Sequence, residues 1–566
     1  MGAPVQIDDL LGLAGGVGSD PAIVPAEGVG SVKSVAGGAY DGANRFDREL
    51  ALWAPPITSA DNEILPAKAM ADARTRDTMR NDAYISNIGS IHQNYIVGSV
   101  FLLNAKPSTR VLWGQADDVW EEEFQEEVEE KFTLWAESSE CWVDATRRNT
   151  FSEMVRLVTG INFMGGESFS AVEWLREESD RPFNTAILLL DNERITTPPT
   201  AQFDVRVRGG VRRNKRGRPL GYYVRQAHPS DFRDPDVHDF KYVRANRPWG
   251  RKQIIHIFEQ VRPDQTRGIS ELTAMLRETY QARKIRDVAL QNMIVNSSYA
   301  AAIESDLPTD VIFNLIGGGN VTNDGRVEEA ISTYMDSYLS TVAQYVGKSK
   351  YAQLDGVKIP HLPPGSKLNL MPVGKGGLLG TEFEQSLLRY LAAGSGVSGE
   401  QVSRDYSRTN YSSIKAALAD TQLYMASKKK IIADRWATAV FKLWFEEAYN
   451  RGAIETLNRP NAPNYYDPLM AEAYTACDWI GASRGQIEEL KETQAAIARL
   501  NAGISTREIE IARFGRDYRK VFRQIAREQR MADELGLDFS GNEAMMGAVS
   551  DASSDDQEAR EPRDDQ

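Results

Sequence analysis

The chain has 566 residues, 42% of them hydrophobic and 26% charged, which excludes wholesale disorder and predicts several modules at roughly 100–200 residues each. Its formal net charge of −14 argues against holding nucleic acid on a broadly basic surface, though not against letting nucleic acid slide past. No apolar run approaches the roughly 18–20 residues that span a bilayer, the N-terminus lacks the basic start of a secretory signal, and Cys141 and Cys477 lie far apart, pointing to a reducing compartment.

In chain order, residues 1–45 carry "LAGGVGSDP" and "VAGGAYDGA" and read as a flexible arm. Globular sequence starts at "RTRDTMRNDAYISNIGSIHQNYIVGSVFLL". Residues 117–138 place Trp120, Phe124, Val128, Phe132 and Trp135 three and four apart, which predicts one buried helix face opposite a wall of glutamates. A second helix is predicted in "TFSEMVRLVTGINFM", with Phe151, Met154, Val155, Val158 and Ile161 on one side. The period then changes, and "TAILLL", "AQFDVRVRGG", "LGYYVRQ" and "QIIHIFEQV" read as short strands. After "RPDQTRGIS", residues 269–307 contain neither Gly nor Pro, and a helix of some thirty residues would span about 45 Å.

Next come a Gly-rich "LIGGGN", a predicted helix "VEEAISTYMDSYLSTVAQYV" and extended "VKIPHLPPGSKLNLMPV". Thr381 and Glu384 form a capping-box pattern opening the helix "EFEQSLLRYLAA", which Gly394, Gly396 and Gly399 are expected to end. The polar run "SRDYSRTNYSS" leads into residues 411–451, again free of Gly and Pro. The last globular piece is predicted helical, with a second capping box at Ser505 and Glu508, and the acidic end "DASSDDQEAREPRDDQ" reads as disordered.

A search for catalytic chemistry returns little. "MPVGKGGLLG" has its glycines and lysine in the wrong order for a phosphate loop. His92, His228, His238, His256 and His361 make no metal-type spacing, so neither a metal nor a cofactor is expected. His256 in "IIHIF" reads as a satisfied strand histidine, no Gly-x-Ser-x-Gly elbow occurs, and the acidic pairs of "DDVWEEEFQEEVEE" read as a solvated helix face. Enzyme is therefore the weaker class.

Three features look like surfaces instead. One is "RVRGGVRRNKRGRPLGYYVRQ", a hairpin carrying Arg206, Arg208, Arg212, Arg213, Lys215, Arg216 and Arg218; it is either a solvated loop or a contact for phosphate or an acidic partner, since like charges repel unless something negative lies opposite. Another is Lys428, Lys429 and Lys430, which fan around a helix and cannot all face one ligand, although a ring of copies can present one of them repeatedly. The third is the polar run Ser403, Arg404, Asp405, Tyr406, Ser407, Arg408, Thr409, Asn410 and Tyr411, hinged by Gly394, Gly396 and Gly399.

The segment "FEQSLLRYLAAGSGVSGEQVSRDYSRTNYSSIKAALADT" resembles the signature of lambda-type bacteriophage portal proteins. "IIHIFEQVRPDQTRGIS", "YAAAIES", "CDWIG" and "AGISTREIEIARFGRDYRKVFRQIAREQ" are similar to that family's segments in order and spacing, over roughly residues 40–537. The resemblance implies a mainly helical α+β portal fold with wing, stem, clip and crown regions, and a ring of twelve copies at one capsid vertex. That ring would be the conduit for packaging and ejecting double-stranded DNA.

By the same resemblance, residues 46–268 are the wing, 269–298 the first stem helix, 299–378 the clip and 379–393 the second stem helix. Residues 394–411 are then the DNA-channel tunnel loop, 412–478 the long wing helix and its connection, 479–540 the crown and 541–566 a disordered tail. Arg404 and Arg408 would meet phosphates while Asp405 moderates the attraction, and the basic hairpin and three lysines are candidates for channel or subunit contacts. Implied partners are further copies of the chain, passing double-stranded DNA, the terminase large subunit, major capsid and scaffold proteins, and head-completion or tail connector proteins, with no membrane. The implied location is the virion, after assembly in the bacterial cytoplasm. Two alternatives remain at this level: a scaffolding or minor capsid protein without a channel, which would not close a ring, and a nucleic-acid enzyme, which would need a carboxylate metal cluster or phosphate loop.

Overall fold

Apolar residues repeating at helical spacing build two helical layers, and a set of short antiparallel strands sits beside them. The computed structural model describes residues 49–50, 52–298, 351–354, 357–360, 381–407, 409–483 and 489–537. Met1–Ser59 is a contact unit of its own, described only as a turn, in which Trp53 N–H donates to Leu50 O at 2.9 Å, and irregular backbone after it. The predicted flexible arm, the predicted helix "VEEAISTYMDSYLSTVAQYV", most of 299–378 and the acidic tail lie outside the described residues.

The unit from Ala60 onward opens with α1 (Ala60–Asn81) and α2 (Ala83–Ile96). Asp82 starts the second, its carboxylate accepting from Tyr84 N–H and Ile85 N–H at 3.0 and 3.2 Å, which satisfies donors the helix itself cannot. β1 (Leu102–Ala105), α3 (Thr109–Trp113), α4 (Asp118–Ala136) and α5 (Phe151–Gly165) follow. Strands β2 (Glu167–Trp174), β3 (Thr185–Leu190), β4 (Val207–Arg208), β5 (Val211–Arg213), β6 (Pro219–Arg225), β7 (Phe240–Arg244) and β8 (Ile254–Phe258) form two antiparallel sheets, ordered β3-β2-β8 and β4-β5-β6-β7. "AQFDVRVRGG", read as one strand, contributes only the two residues of β4, because Pro199–Ala201 winds into a 3-10 turn.

A 3-10 turn at Glu271–Met275 leads into α6 (Leu276–Ser298), so the predicted helix from 269 starts later and is capped by Ser270, whose Oγ accepts from Leu272 N–H at 3.1 Å. β9 (Tyr351–Leu354) and β10 (Val357–Pro360) pair with each other. Then come α7 (Thr381–Ser395), α8 (Gly399–Ser403), α9 (Tyr411–Lys429), a π-helical turn at Lys430–Asp434, α10 (Arg435–Asn450), α11 (Met470–Tyr474), β11 (Cys477–Ile480), α12 (Glu489–Asn501), α13 (Arg507–Ala512) and α14 (Tyr518–Leu535). The cap of α13 is Thr506, which accepts from Ile509 N–H at 3.3 Å, and not the expected Ser505 with Glu508.

The core is aromatic and lies between α4 and α10. Phe124 meets Phe445 at 6.0 Å between ring centroids, and Phe132 meets Phe441 and Trp444 edge-on at 5.4 and 5.3 Å. Each such buried ring contributes roughly 1.5–3 kcal/mol from area alone, plus about 0.5–1.5 kcal/mol from ring geometry. β11 pairs antiparallel with β1, Leu102 opposite Ile480, and Trp479 stacks on Phe101 at 5.5 Å. Residues 479 and 480, placed at the head of the predicted 479–540 region, therefore belong to the core of the large body.

Candidate nucleic-acid interface at the polar loop

The loop's foundation is laid at the junction where α7 ends against α2. Ser395 Oγ donates back to Leu391 O at 2.8 Å, and His92 Nε2 lies 3.0 Å from Ser395 O, where its N–H donates. Burial holds the His92 imidazole down to a pKa of about 4, so the ring is neutral at physiological pH and its Nε2–H is available for that carbonyl. α7 runs through Gly394, which corrects its reading as a hinge: a Cβ there would sit 2.4 Å from Met275 Sδ, so this glycine permits close helix contact. Gly396 is the turning point, at φ +68°, with its α-carbon against the Tyr424 ring. Gly399 opens α8 and has room for a side chain.

Much of the expected tunnel loop is ordered. Ser398 and Gln401 form a capping box at the start of α8. The buried Gln401 side chain also accepts from Thr421 Oγ1 at 2.9 Å and donates to Tyr95 OH at 3.2 Å, pinning the loop to α9 and α2. Asn87 Nδ2 donates to Gln401 O and Val402 O at 2.8 and 3.0 Å.

Beyond Ser403 the chain turns outward. Arg404 ends α8 in the left-handed region at φ +56°, and its Nε donates to Asn87 Oδ1 at 2.9 Å. Asp405 Oδ1 accepts from Ser407 N–H and Oγ–H at 3.0 and 2.6 Å, and Thr409 Oγ1 donates to Tyr406 O at 3.0 Å. Asn410 caps α9 by accepting from Ser413 N–H at 2.8 Å, while Lys415 sits over the Tyr411 ring at 5.6 Å. Tyr406 and Tyr411 are exposed, and a cavity of about 110 Å³ separates the loop from α9, lined by Ser398, Gln401, Tyr406, Thr409 and Ile414 among others. Arg408 lies outside the described residues. The segment thus offers hydroxyls, amides and phenols to solvent while its carboxylate is spent on its own backbone.

The three lysines have different fates. Lys428 is buried and ion-paired to Glu259 and Glu271, which corrects its reading as a surface contact; burial works against its charge, but the two carboxylates prevail and raise its pKa. Tyr424 OH donates to the same Glu271 at 2.6 Å. Lys429 pairs with Asp434 at 2.7 Å, donates to Trp479 O at 2.8 Å and lies over the Phe101 ring, so it too is engaged internally. Lys430 is exposed, 3.8 Å from Asp434. The ordinary step of about 100° per residue separates these fates, and a π-helical turn begins at Lys430 itself.

At the basic hairpin, Arg208 and Arg213 each lie 3.2 Å from the buried Asp61, and Arg212 is 3.9 Å from Asp204. The base of the hairpin is therefore neutralised, which corrects Arg213 as a free contact residue, and Lys215, Arg216 and Arg218 remain exposed at the tip along with Arg206. A buried ion cluster that the linear sequence hides sits next to it. Glu167 is fully buried and accepts from Lys68 at 2.9 Å, Arg267 at 2.7 Å, His256 at 3.1 Å and Gly268 N–H at 2.9 Å. Burial works against its charge, but Arg267 and Lys68, with the His256 hydrogen bond, hold its carboxyl well below the usual range. The cluster fixes Arg267 and Gly268, from which the chain departs toward α6. Gly268 and Gly166 touch backbone to backbone, a Cβ on Gly268 falling 2.1 Å from Gly166 O.

Among the described residues one group has metal-ligand composition: Asp191, Glu193 and His228. Arg76 already supplies a cation there, 2.6 Å from Glu193 Oε1 and 3.6 Å from Asp191 Oδ1.

A family model described as "Phage portal protein, lambda family" matches residues 46–427. The chain is 34% identical to portal protein B of Escherichia phage lambda over 521 residues, covering 91% of this chain and 94% of that protein. It is likewise 34% identical to the portal protein of Escherichia phage N15 over 519 residues, with the same coverage. A probable portal protein of Halomonas phage phiHAP-1 is 19% identical over 511 residues, 89% of this chain and 88% of that one. Among solved structures, the neck of a native gene transfer agent particle computed with C12 symmetry is matched at a TM-score of 0.34 and 12% identity, covering 79% of this chain and 97% of that one.

Proposed function

The chain belongs to the lambda family of phage portal proteins, and from that premise we propose that twelve copies close into a ring at one vertex of the capsid, forming the conduit for double-stranded DNA during packaging and ejection. The ring docks the terminase motor during filling and head-completion and tail connector proteins afterward. It assembles in the bacterial cytoplasm together with scaffold and major capsid proteins. In this reading 46–268 with 412–480 are the wing, 269–298 and 379–393 the stem, 299–378 the clip, 481–540 the crown and 394–411 the lining of the narrowest passage.

The observation that carries the reading is the construction of the polar loop. It is tied at its base by buried hydrogen bonds from Gln401 and Asn87, and at its tip it exposes Tyr406, Tyr411 and the Arg404 guanidinium. A passage for a polyanion must contact phosphates without accumulating counterion release at many sites, because a uniformly basic bore would trap the duplex. Hydroxyls and phenols with a sparse positive charge satisfy that requirement, and none of them is arranged to read base edges.

Electron-microscope class averages of the purified protein, viewed along the particle axis, test the proposal. Closed twelve-fold rings with a central hole wide enough for a duplex are expected. Monomers and small dimers at every concentration and salt, or elongated particles of mixed stoichiometry with scaffold, would overturn it.

A further inference from the structure

A second feature of the large body is left without a partner. Between α10, the turn at 249–252 and the stretch 465–472 lies a cleft of about 550 Å³. Its inner wall is tied together: Glu446 accepts from Trp249 Nε1 at 3.0 Å, Arg251 at 2.7 Å and Tyr466 OH at 3.2 Å. Four further cations line it. Lys442 pairs with Glu472, and Lys430 lies 3.8 Å from Asp434. Lys252 and Arg435 have no acidic partner or hydrogen-bond acceptor for their side chains among the described residues. Partial desolvation in the cleft, with Lys442 and Arg435 beside it, holds the Lys252 pKa below the ordinary lysine value although the side chain still reaches solvent. Asp434, Glu446, Asp467 and Glu472 also line the cleft, so its excess positive charge is small and rests on Lys252 and Arg435, two neighbouring cations that are costly to keep together without an anion opposite.

An unmatched anionic surface exists elsewhere in the same body. Along α4, Glu126 and Glu130 are taken by Arg523, Glu127 by Lys131 and Glu129 by Arg519. Asp118, Glu122 and Glu123, near the start of that helix, are exposed and without a counter-charge among the described residues. The two patches cannot meet within one chain. On α10 the rings that pack on α4 are Phe441, Trp444 and Phe445, whereas Arg435, Lys442 and Glu446 point about 120° away at roughly 100° per residue. On α4 the three carboxylates lie on the side away from the buried Phe124 and Val128.

We propose that the cleft of one copy receives the Asp118, Glu122 and Glu123 face of the next copy, a head-to-tail contact in which Lys252 and Arg435 are the principal cations. Two different, complementary patches on one chain make a heterologous contact, which closes into a ring when the rotation per copy allows. The inference rests on the ring reading above and adds to it which surfaces join.

The test uses two full-length variants, Lys252→Glu/Arg435→Glu and Glu122→Lys/Glu123→Lys, with all four changes at exposed positions. The readout is ring formation by native mass spectrometry and class averaging, with thermal unfolding as a fold control. Each variant alone is expected to lose the ring, because one has two acidic faces and the other two basic ones. An equimolar mixture is expected to regain it with the two variants alternating, which damage to the fold would not allow. A variant that fails the fold control is replaced by its Gln counterpart, for which the same loss is expected.

Rings from either variant alone overturn the contact while leaving the ring reading intact, and so does loss of DNA retention by rings of the first variant, which would make the cleft a phosphate site. A mixture of the two folded charge-reversal variants that stays unassembled also overturns it. If the wild-type chain forms no ring, both readings fall together.

Discussion

The aromatic layer between α4 and α10 and the polar loop between α7 and α9 are built on opposite principles. The first is held by rings with almost no hydrogen-bonding capacity, so its stability lies in area and packing. The second holds its base by individual polar contacts from two helices, Asn87 and His92 on α2 and Thr421 on α9, and leaves its tip to solvent. Under the proposed conduit reading, a body that keeps its shape while DNA moves past needs both, because deformation at the loop must not propagate into the packed layer. The contrast predicts that equal chemical changes have unequal consequences in the two places.

The largest expected effect is in the layer. Phe132→Ala removes a ring in contact with Trp135, Phe151, Phe441, Trp444 and Trp479. A loss of about 3–5 kcal/mol is expected, read from the shift of the denaturant midpoint. A shift under about 1 kcal/mol would mean that the layer repacks and that the rigidity argument is wrong.

The next effect is conditional on pH and sits at the loop's base. The folded pKa of His92, about 4, lies below the unfolded value of about 6.5. The unfolded chain therefore takes up the proton first, so this contribution is fully present above about pH 6.5 and is lost as the pH falls toward about 4. The full effect is on the order of 3 kcal/mol. His92→Gln, which keeps an N–H for Ser395 O, is expected to flatten the fall of stability across that window. An unchanged slope would show that the imidazole is not buried neutral.

How much of this could be read from the sequence follows the same division. α4 was legible because its five large apolar residues repeat at helical spacing and the opposite face is acidic, and α5 likewise. β2 was not: "ESFSAVEW" is buried on both faces over its first half, so it shows no alternation. The unbroken pattern of residues 411–451 announced one long helix and the fan of Lys428, Lys429 and Lys430 around it, but no local signal encodes the π-turn at Lys430–Asp434 that divides the helix. The ion cluster around Glu167 draws on residues 68, 72, 256 and 267; His256 was legible as a satisfied strand histidine, whereas Lys68, Asp72 and Arg267 look like ordinary surface charges until the chain is folded. The polar loop was visible by composition and by resemblance. Its short helix α8 was hidden because the Ser398 and Gln401 box has no apolar run behind it to mark a helix.

Three glycines near the loop were expected to act alike, and the structure ranks them. Gly396→Ala puts a side chain at φ +68° and against the Tyr424 ring at 2.4 Å, and a loss of about 1–3 kcal/mol is expected. Gly394→Ala must displace the flexible Met275 side chain and is expected to cost less, while Gly399→Ala meets only ordinary contact with Arg389 and should fall within about 0.5 kcal/mol of the parent. Thermal unfolding of the three variants checks the order. Equal losses would return all three to the status of hinges.

The smallest effect on stability belongs to the tip, and there stability and function should separate. Arg404 occupies a left-handed conformation that costs a non-glycine residue about 1 kcal/mol, and its side chain makes one hydrogen bond, to Asn87. Arg404→Gly removes the bond and the strain together, so unfolding should stay within about 0.5 kcal/mol of the parent. The same change removes a cation from the proposed passage. Particles assembled with it are expected to fill with less DNA, measured as packaged genome per head, while ring formation is unaffected. Normal filling would detach Arg404 from the passage and leave the loop's exposed phenols and hydroxyls to carry the contact alone.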